Sequence, residues 1–357
     1  MTAKARTDLR FTLPHNERSN ARVLDLLNGR AEAVEMRPNA ERVDAWAKEA
    51  ANGSPDAQFQ LARCLTSGAP LSADNRAAVK WLKKAAEKEH AASQHMLGVL
   101  IARAQGVRAD PEKAVELFRA AAIMGNANAQ YDLGRALTWG FGCTVNQREA
   151  LMWFRLAGAQ GHTTSQLLVG KAYALGIGCE TDLRQAVSWL RKANPSHNAE
   201  AAFELGLIAL RPDNVNADNA EAFRWMDEAA RLGHADAQYH LALFYWSGRG
   251  VAQDIRTAFR WAHKAALNSQ LNALLFLSRL YERGETIPTD RVGALALVKR
   301  VVRLSQDQQA EAILEQARLR ERDLLAVLTL NETMAAQMLE NDCADLPALL
   351  NALKSVL

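Results

Sequence analysis

The chain has 357 residues, a formal net charge of +3 and only nine prolines, with 49% hydrophobic and 6% aromatic residues. That mixture suits close-packed helices, as one long repeat array or two ordinary domains, and argues against disorder or a β-sandwich. The small net charge gives no global argument for nucleic acid, and no stretch approaches the roughly 20 apolar residues that cross a bilayer.

At the N-terminus, MTAKARTDLRFTLPHNERSN carries positive charge with no apolar run after it. No secretory signal is therefore expected, and the cytoplasm is the expected location. Residues 1–18 read as a flexible segment and 19–56 as a helical cap, a degenerate repeat. Within that cap, 19–33 is expected to form a partner helix. PNAERVDAWAKEAAN, at 38–52, resembles the second helix of the repeats that follow, with Trp46 and Ala50 in the repeat spacing but one residue out of register.

From residue 57 to 302 the sequence repeats seven times with a period of 36 and no insertion. A small-residue column runs Ala62, Gly98, Gly134, Gly170, Gly206, Ala242, Ser278, and is expected to let a neighbouring backbone approach closely. Nineteen residues later comes Trp81, Leu117, Trp153, Trp189, Trp225, Trp261, Leu297, read as one large core anchor per second helix. Ala85, Ala121, Ala157, Ala193, Ala229, Ala265 and Val301 form a third column. Asp74, Asp110, Asn146, Asp182, Asp218, Asp254 and Asp290 stand just before helical runs, as N-caps do. Gly140, Gly176, Gly248 and Gly284 are placed to end first helices. Each copy thus reads as helix, glycine loop, capped helix, short turn.

The stretches NAQYDLGRALTWGFGCTVNQREALMWFRLAGAQGH and DAQYHLALFYWSGRGVAQDIRTAFRWAHKAA resemble Sel-1-like repeats, relatives of the tetratricopeptide repeats with a longer loop between their helices. The resemblance implies an all-α fold: a right-handed α/α superhelical solenoid of seven 36-residue helix-loop-helix repeats with helical caps. It also implies an adaptor or partner-binding scaffold, with first helices lining a concave surface. The fifth copy departs from the pattern. Arg211-Pro-Asp-Asn214 replaces its glycine loop, and Asn194-Pro-Ser-His197 precedes it, so a kink or a change of curvature is expected at this junction. The seventh copy has Val301 where alanine is the rule.

After residue 302 the period is lost, and 303–357 reads as a C-terminal helical cap or docking segment. Ile313, Leu314, Ala317, Leu324, Leu325 and Leu328 suggest one longer amphipathic helix. A shorter one begins near Asp345 and Pro347, with Leu349, Leu350, Leu353 and Val356 apolar. Capping is one reading of this tail, self-association or partner docking the other.

Chemistry is sparse. The four cysteines do not make a disulfide framework. Cys143 and Cys179 lie one repeat apart, where stacked helices hold equivalent atoms about 8–10 Å apart, beyond the roughly 7 Å limit for a bridge. Both are expected to be free thiols. His90, His162 and His234 alternate at one position with Asn126, Asn198 and Gln270, which suits a turn role rather than a ligand set. No HExxH or CxxC occurs, so no metal site and no cofactor are expected. Gly140-Phe-Gly142 and Gly176-Ile-Gly178 follow helices rather than strands and read as turns, not phosphate loops. No GxSxG or kinase signature is present, and the chain is read as not an enzyme.

Function is sought where the repeats vary. Positions two before and one and five after the small column share a helix face. They supply Arg63, Met96, Arg103, Arg135, Trp139, Lys171, Leu175, Arg211, His240, Phe276, Arg279 and Arg283 as candidate partner-binding residues, with Trp246 beside them. Seven basic residues on this stripe face two acidic ones, Asp132 and Glu204. Basic residues interleaved with Trp139, Phe276 and Met96 suit an acidic, partly apolar protein segment. A nucleic-acid strand held by the same basic stripe is the alternative.

Overall fold

The computed structural model describes residues 40–354 except 70, 195–197, 213, 215–217, 285–287, 308–309 and 344. The expected flexible segment 1–18 and partner helix 19–33 lie outside the described residues, as do Pro195, Ser196, His197, Asp213 and Val356. Among the described residues there are eighteen α-helices and no strand. The chain is all-α, built from the repeated helical hairpins of an α-solenoid.

Two compact units divide it, residues 1–156 and 157–357. The first holds α1 (Ala40–Ala51) and then hairpins of α2 (Pro55–Ser67) with α3 (Asn75–Ala86) and of α4 (Ala91–Ala102) with α5 (Pro111–Ile123). It closes with α6 (Ala127–Trp139) and most of α7 (Gln147–Ala159). The second holds α8 (Thr163–Leu175) with α9 (Leu183–Ala193), then α10 (Ala199–Ala209) with α11 (Asn219–Arg231). There follow α12 (Ala235–Ser247) with α13 (Ile255–Leu267), and α14 (Leu271–Arg283) with α15 (Arg291–Asp307). The chain ends in α16 (Glu311–Leu325), α17 (Leu330–Asp342) and α18 (Leu346–Lys354).

The helix boundaries follow from capping chemistry. Each residue of the Asp/Asn column accepts a hydrogen bond from a backbone amide in the first turn of its second helix, for example Ala77 N to Asp74 Oδ1 at 3.0 Å and Gly293 N to Asp290 Oδ1 at 2.7 Å. These bonds satisfy amides that the first turn leaves without a helical partner. The histidine position plays the same part for the first helices. Asn126, His162, Asn198, His234 and Gln270 all accept from backbone amides three residues on. In His162 and His234 the acceptor is Nδ1, which leaves Nε2 as the N–H; His234 Nε2 then reaches Glu200, at 3.0 Å. A further column, absent from the sequence reading, ties hairpin to hairpin. Gln58, Gln94, Gln130, Gln166 and Gln238 each donate to a carbonyl eight residues earlier, in the last turn of the preceding helix.

The core does not follow the tryptophan column. It runs one residue later, through Leu82, Phe118, Phe154, Leu190, Met226, Ala262 and Val298, all buried. In the expected column Trp153 and Leu297 are buried, but Trp81, Trp189, Trp225 and Trp261 are only half-buried. An indole carries a polar N–H that needs a partner and a ring face that attracts cations. Accordingly Trp153 and Trp225 donate to Glu149 and Glu221 at 3.2 and 3.3 Å. The ammonium groups of Lys84, Lys192 and Lys264 lie 4.7, 4.4 and 4.3 Å from the ring centres of Trp81, Trp189 and Trp261.

The small column serves this shifted core. A Cβ added at Gly98, Gly134, Gly170 or Gly206 would lie 2.7, 2.6, 2.6 or 2.9 Å from the side chains of Phe118, Phe154, Leu190 or Met226. Its main purpose is thus to admit a large side chain from the other helix of the same hairpin, rather than a neighbouring backbone. The loops use glycine as expected: Gly140 ends α6 with φ +74°. Gly142, two residues on, rests against the backbone of Pro111.

The tail differs from the expected pair of helices. It forms three, because Thr329 and Glu332 make a reciprocal capping box that starts α17. Helix α16 packs on α14 and α15, α17 on α15, and α18 on α13 and α15. Ala317, Leu324, Leu349 and Leu350 are buried there, so these helices cover the end of the last repeat. Among the described residues nothing covers one face of α17, where Leu330, Met334 and Met338 are exposed.

Candidate partner-binding site

In the first unit the stripe closes on itself instead of facing solvent. Arg135 is only 3% exposed. Its Nη1 lies 3.7 Å from Asp132 Oδ1, and its guanidinium sits 4.8 Å from the Trp139 ring centre and 5.5 Å from that of Tyr131. His95 Nε2 lies 2.8 Å from Asp132 Oδ2. Arg103, half-buried nearby, has its pKa lowered by burial and by Arg135, with Asp132 opposing both; burial also raises the Tyr131 phenol. Trp139 Nε1 is buried with no hydrogen-bond partner among the described residues. Arg63 and Met96 are half-buried, and Arg63 Nη1 donates to Gln60 Oε1 at 3.2 Å. A wide cleft of about 1030 Å³ lies elsewhere in this unit. It contains no stripe residue, and its Lys83, Arg108 and Lys113 are balanced by Glu87, Asp110 and Glu112.

In the second unit Lys171 is neutralised by Glu200 and Glu204, at 2.8 and 2.7 Å. The hydrogen bond from His234, together with Lys171, holds the Glu200 carboxyl down at about 2. The His234 ring stacks on Phe203 at 4.2 Å, and His240 lies 5.8 Å from that same phenyl. Burial pushes the His240 imidazole below its usual range, with Asp236 opposing. Arg211 Nη1 donates to the Ala174 carbonyl, and Leu175 is 39% exposed. A depressed carboxylate stabilises the fold above its unfolded pKa and loses that contribution as pH falls through the folded value. Glu200 should therefore add stability above about pH 4.5 that disappears toward pH 2. Urea unfolding of Glu200→Gln at pH 6 and pH 3 is expected to show a smaller acid loss than wild type. The effect is modest, because the side chain is 41% exposed and solvent screens it.

The stripe does converge at one place. Tyr239, Leu243 and Trp246 from α12, Phe276, Arg279 and Arg283 from α14, and Gln316 from α16 line a pocket of about 130 Å³, completed by Asn272, Leu275 and Leu280. Phe276, 7% exposed, is its floor. Trp246 and Tyr239 meet Phe276 edge-on, at 5.9 and 6.3 Å between centroids. No carboxylate lines it. Arg279 is exposed and makes no ion pair with a described residue. Burial raises the Tyr239 phenol while Arg279 draws it back, which places the guanidinium within electrostatic reach of the pocket. Four candidates, Trp246, Phe276, Arg279 and Arg283, are thus brought together. Tyr239, Asn272 and Gln316 were missed. Tyr239 lies seven residues before Trp246, two turns along the same helix face, and was legible. Gln316 comes from the aperiodic tail and carried no such signal.

Among the described residues no group of His, Cys, Asp and Glu could hold a metal ion. No described helix is long and apolar enough to cross a membrane. All four cysteines are free.

Comparison with known proteins bears on the whole array. The Sel1 repeat profile matches residues 55–90, 91–126, 127–162, 163–194, 199–234, 235–269 and 271–300. Among solved structures, the chain is similar to c5321, a protective antigen of uropathogenic Escherichia coli displaying an SLR fold. The two share 25% identity over 88% of this chain and 68% of that one, with a TM-score of 0.72. It is also similar to a Sel1 repeat protein from Oxalobacter formigenes, at 26% identity over 68% of this chain and 96% of that one, with a TM-score of 0.59. No curated protein sequence matches.

Proposed function

This chain belongs to the Sel1 repeat family, and we propose that it is a non-enzymatic adaptor or inhibitor that holds an acidic, partly apolar segment of a partner protein on its first-helix surface. Repeats of this family generally mediate protein–protein interaction. A cytoplasmic partner belongs to this reading. The observation that carries it is the pocket at Tyr239, Trp246 and Phe276 beside the exposed Arg279. Its volume, about 130 Å³, is close to that of cavities of ~150 Å³ that take up benzene, so one aromatic or branched aliphatic side chain fills it. A guanidinium fork beside such a pocket recognises a carboxylate in two-point fashion. The aromatic walls already pack on one another, so little ordering is lost on binding. The nucleic-acid alternative is weakened, since Arg135 is interior and Lys171 is neutralised.

Selection of random peptides on the immobilised full chain tests this. Enriched sequences are expected to pair Phe, Trp or Leu with a neighbouring Asp or Glu. Trp246→Ala should weaken the best peptide about thirtyfold, a loss of roughly 2 kcal/mol typical of an interface anchor. Arg279→Glu should weaken acidic peptides while sparing their amide analogues. Enrichment without acidic residues, or equal binding by both variants, would refute the assignment.

A further inference from the structure

We infer that α16 carries a two-fold, self-complementary surface through which two copies of this chain pair antiparallel. Its inner face is fixed to the last repeat. Ala317 and Leu324 are buried there, Arg320 donates to Ser278 Oγ at 2.8 Å and pairs with Glu282, and Glu321 lies 3.4 Å from Lys299. That docking holds the opposite face outward and rigid.

The outer face is an open groove of about 470 Å³ lined by Glu311, Leu314, Glu315, Arg318, Leu319 and Arg322. Leu319 is 47% exposed, and nothing in the described chain covers it. The order along the helix is acid, leucine, acid, arginine, leucine, arginine. A two-fold axis passing beside the helix, level with the midpoint between Gln316 and Ala317, pairs positions equally far from that midpoint. Glu311 then meets Arg322 of the second copy, Leu314 meets Leu319 of the second copy, and Glu315 meets Arg318 of the second copy. Every charge meets its opposite and each leucine a leucine, which is the condition an isologous interface imposes. Parallel pairing in register would instead set Glu against Glu and Arg against Arg. Among the described residues, the outer charges have only a weak alternative: Arg322 lies 3.7 Å from Asp323, both well exposed. The complementarity of the groove with itself therefore selects a second copy as occupant.

One 15-residue helix spans about 22 Å, short of the standard interface. The dimer is accordingly weak, concentration-dependent and salt-sensitive. The test is sedimentation equilibrium of the full chain over a wide concentration range at low and high salt. Wild type should pass from monomer to dimer, less readily in high salt. Glu311→Arg with Glu315→Arg makes the groove wholly basic, and Arg318→Glu with Arg322→Glu makes it wholly acidic. Each variant alone should remain a monomer, and an equimolar mixture should restore the dimer. The altered side chains are all on the outer face, so each variant should stay folded, with thermal unfolding only slightly below wild type because the charges at the helix ends are reversed. A wild type that stays monomeric throughout, variants that dimerise alone as wild type does, or a mixture that stays monomeric would each overturn the inference.

Discussion

Replacing Asp132 with alanine is expected to destabilise the protein by roughly 3–5 kcal/mol, as removal of one member of a buried charge cluster does. The carboxylate accepts from His95 at 2.8 Å and faces Arg135 at 3.7 Å, with 9% of its side chain and 4% of that of Arg135 exposed. Arg103 and Arg135 repel each other, and Asp132 is the acid that offsets this. Without it the buried Arg135 faces the half-buried Arg103 with no acid between them, and Arg135 has little access to water. Urea unfolding followed by far-UV circular dichroism measures the loss. Asp323→Ala is the control: that carboxylate is 70% exposed beside an exposed Arg322, and its removal should cost below about 1 kcal/mol. Asp132→Leu combined with Arg135→Met should recover much of the loss, because an apolar pair leaves less charge uncompensated. If Asp132→Ala costs no more than the control, the cluster is solvated and the assignment of Arg135 to the interior fails.

Gly142→Ala is expected to cost roughly 3 kcal/mol, the sum of left-handed strain near 1 kcal/mol and overpacking of about 1–3 kcal/mol. The residue has φ +63°, and a Cβ there would lie 2.2 Å from the Pro111 carbonyl oxygen and 2.9 Å from Glu112 N. These are backbone atoms at the start of a helix whose cap, Asp110, is hydrogen-bonded to Lys113 N at 2.9 Å. They cannot swing aside as a side chain would. Gly161→Ala separates the two contributions, since Gly161 has φ +90° with nothing within 4 Å. It should lose only the strain. Equal losses at the two sites would mean that the loop slides off Pro111 at little cost.

Much of the fold was legible because capping and periodicity are local. The Asp/Asn column predicts helix starts from side-chain reach alone, and the structure puts every one of them on its amide. The direction of the core was not legible in the same way. Trp81 and Leu82, Trp189 and Leu190, and Trp225 and Met226 are adjacent apolar pairs. A period states which residues are equivalent, not which of two neighbours, about 100° apart on a helix, points inward. Size favoured tryptophan; the polar N–H decided for its neighbour. The stripe failed in part for a related reason. Asp132 and Arg135 are three apart on one helix, a spacing at which opposite charges meet, so the acid on the stripe was itself the sign that Arg135 is consumed internally. The capping box at Thr329 and Glu332, a threonine with a glutamate three residues on, is likewise written in the sequence and marks the start of α17.

Each small residue and the large side chain it admits lie on the two helices of one hairpin, 20 positions apart: Gly98 with Phe118, Gly134 with Phe154, Gly170 with Leu190, Gly206 with Met226. The corresponding positions elsewhere are Ala62 with Leu82, Ala242 with Ala262 and Ser278 with Val298. For this pair of positions the steric match is settled inside a copy, whereas the loop glycine Gly142 meets Pro111 of the preceding hairpin. A hairpin moved as a whole therefore carries this pair with it, already matched. A crossover within a copy has no such protection. Joining the first helix that bears Ala242 to the second helix that bears Phe154 would press a methyl group within about 2.6 Å of the ring. Exchange of single helices between hairpins should therefore disturb this packing more than exchange of whole hairpins.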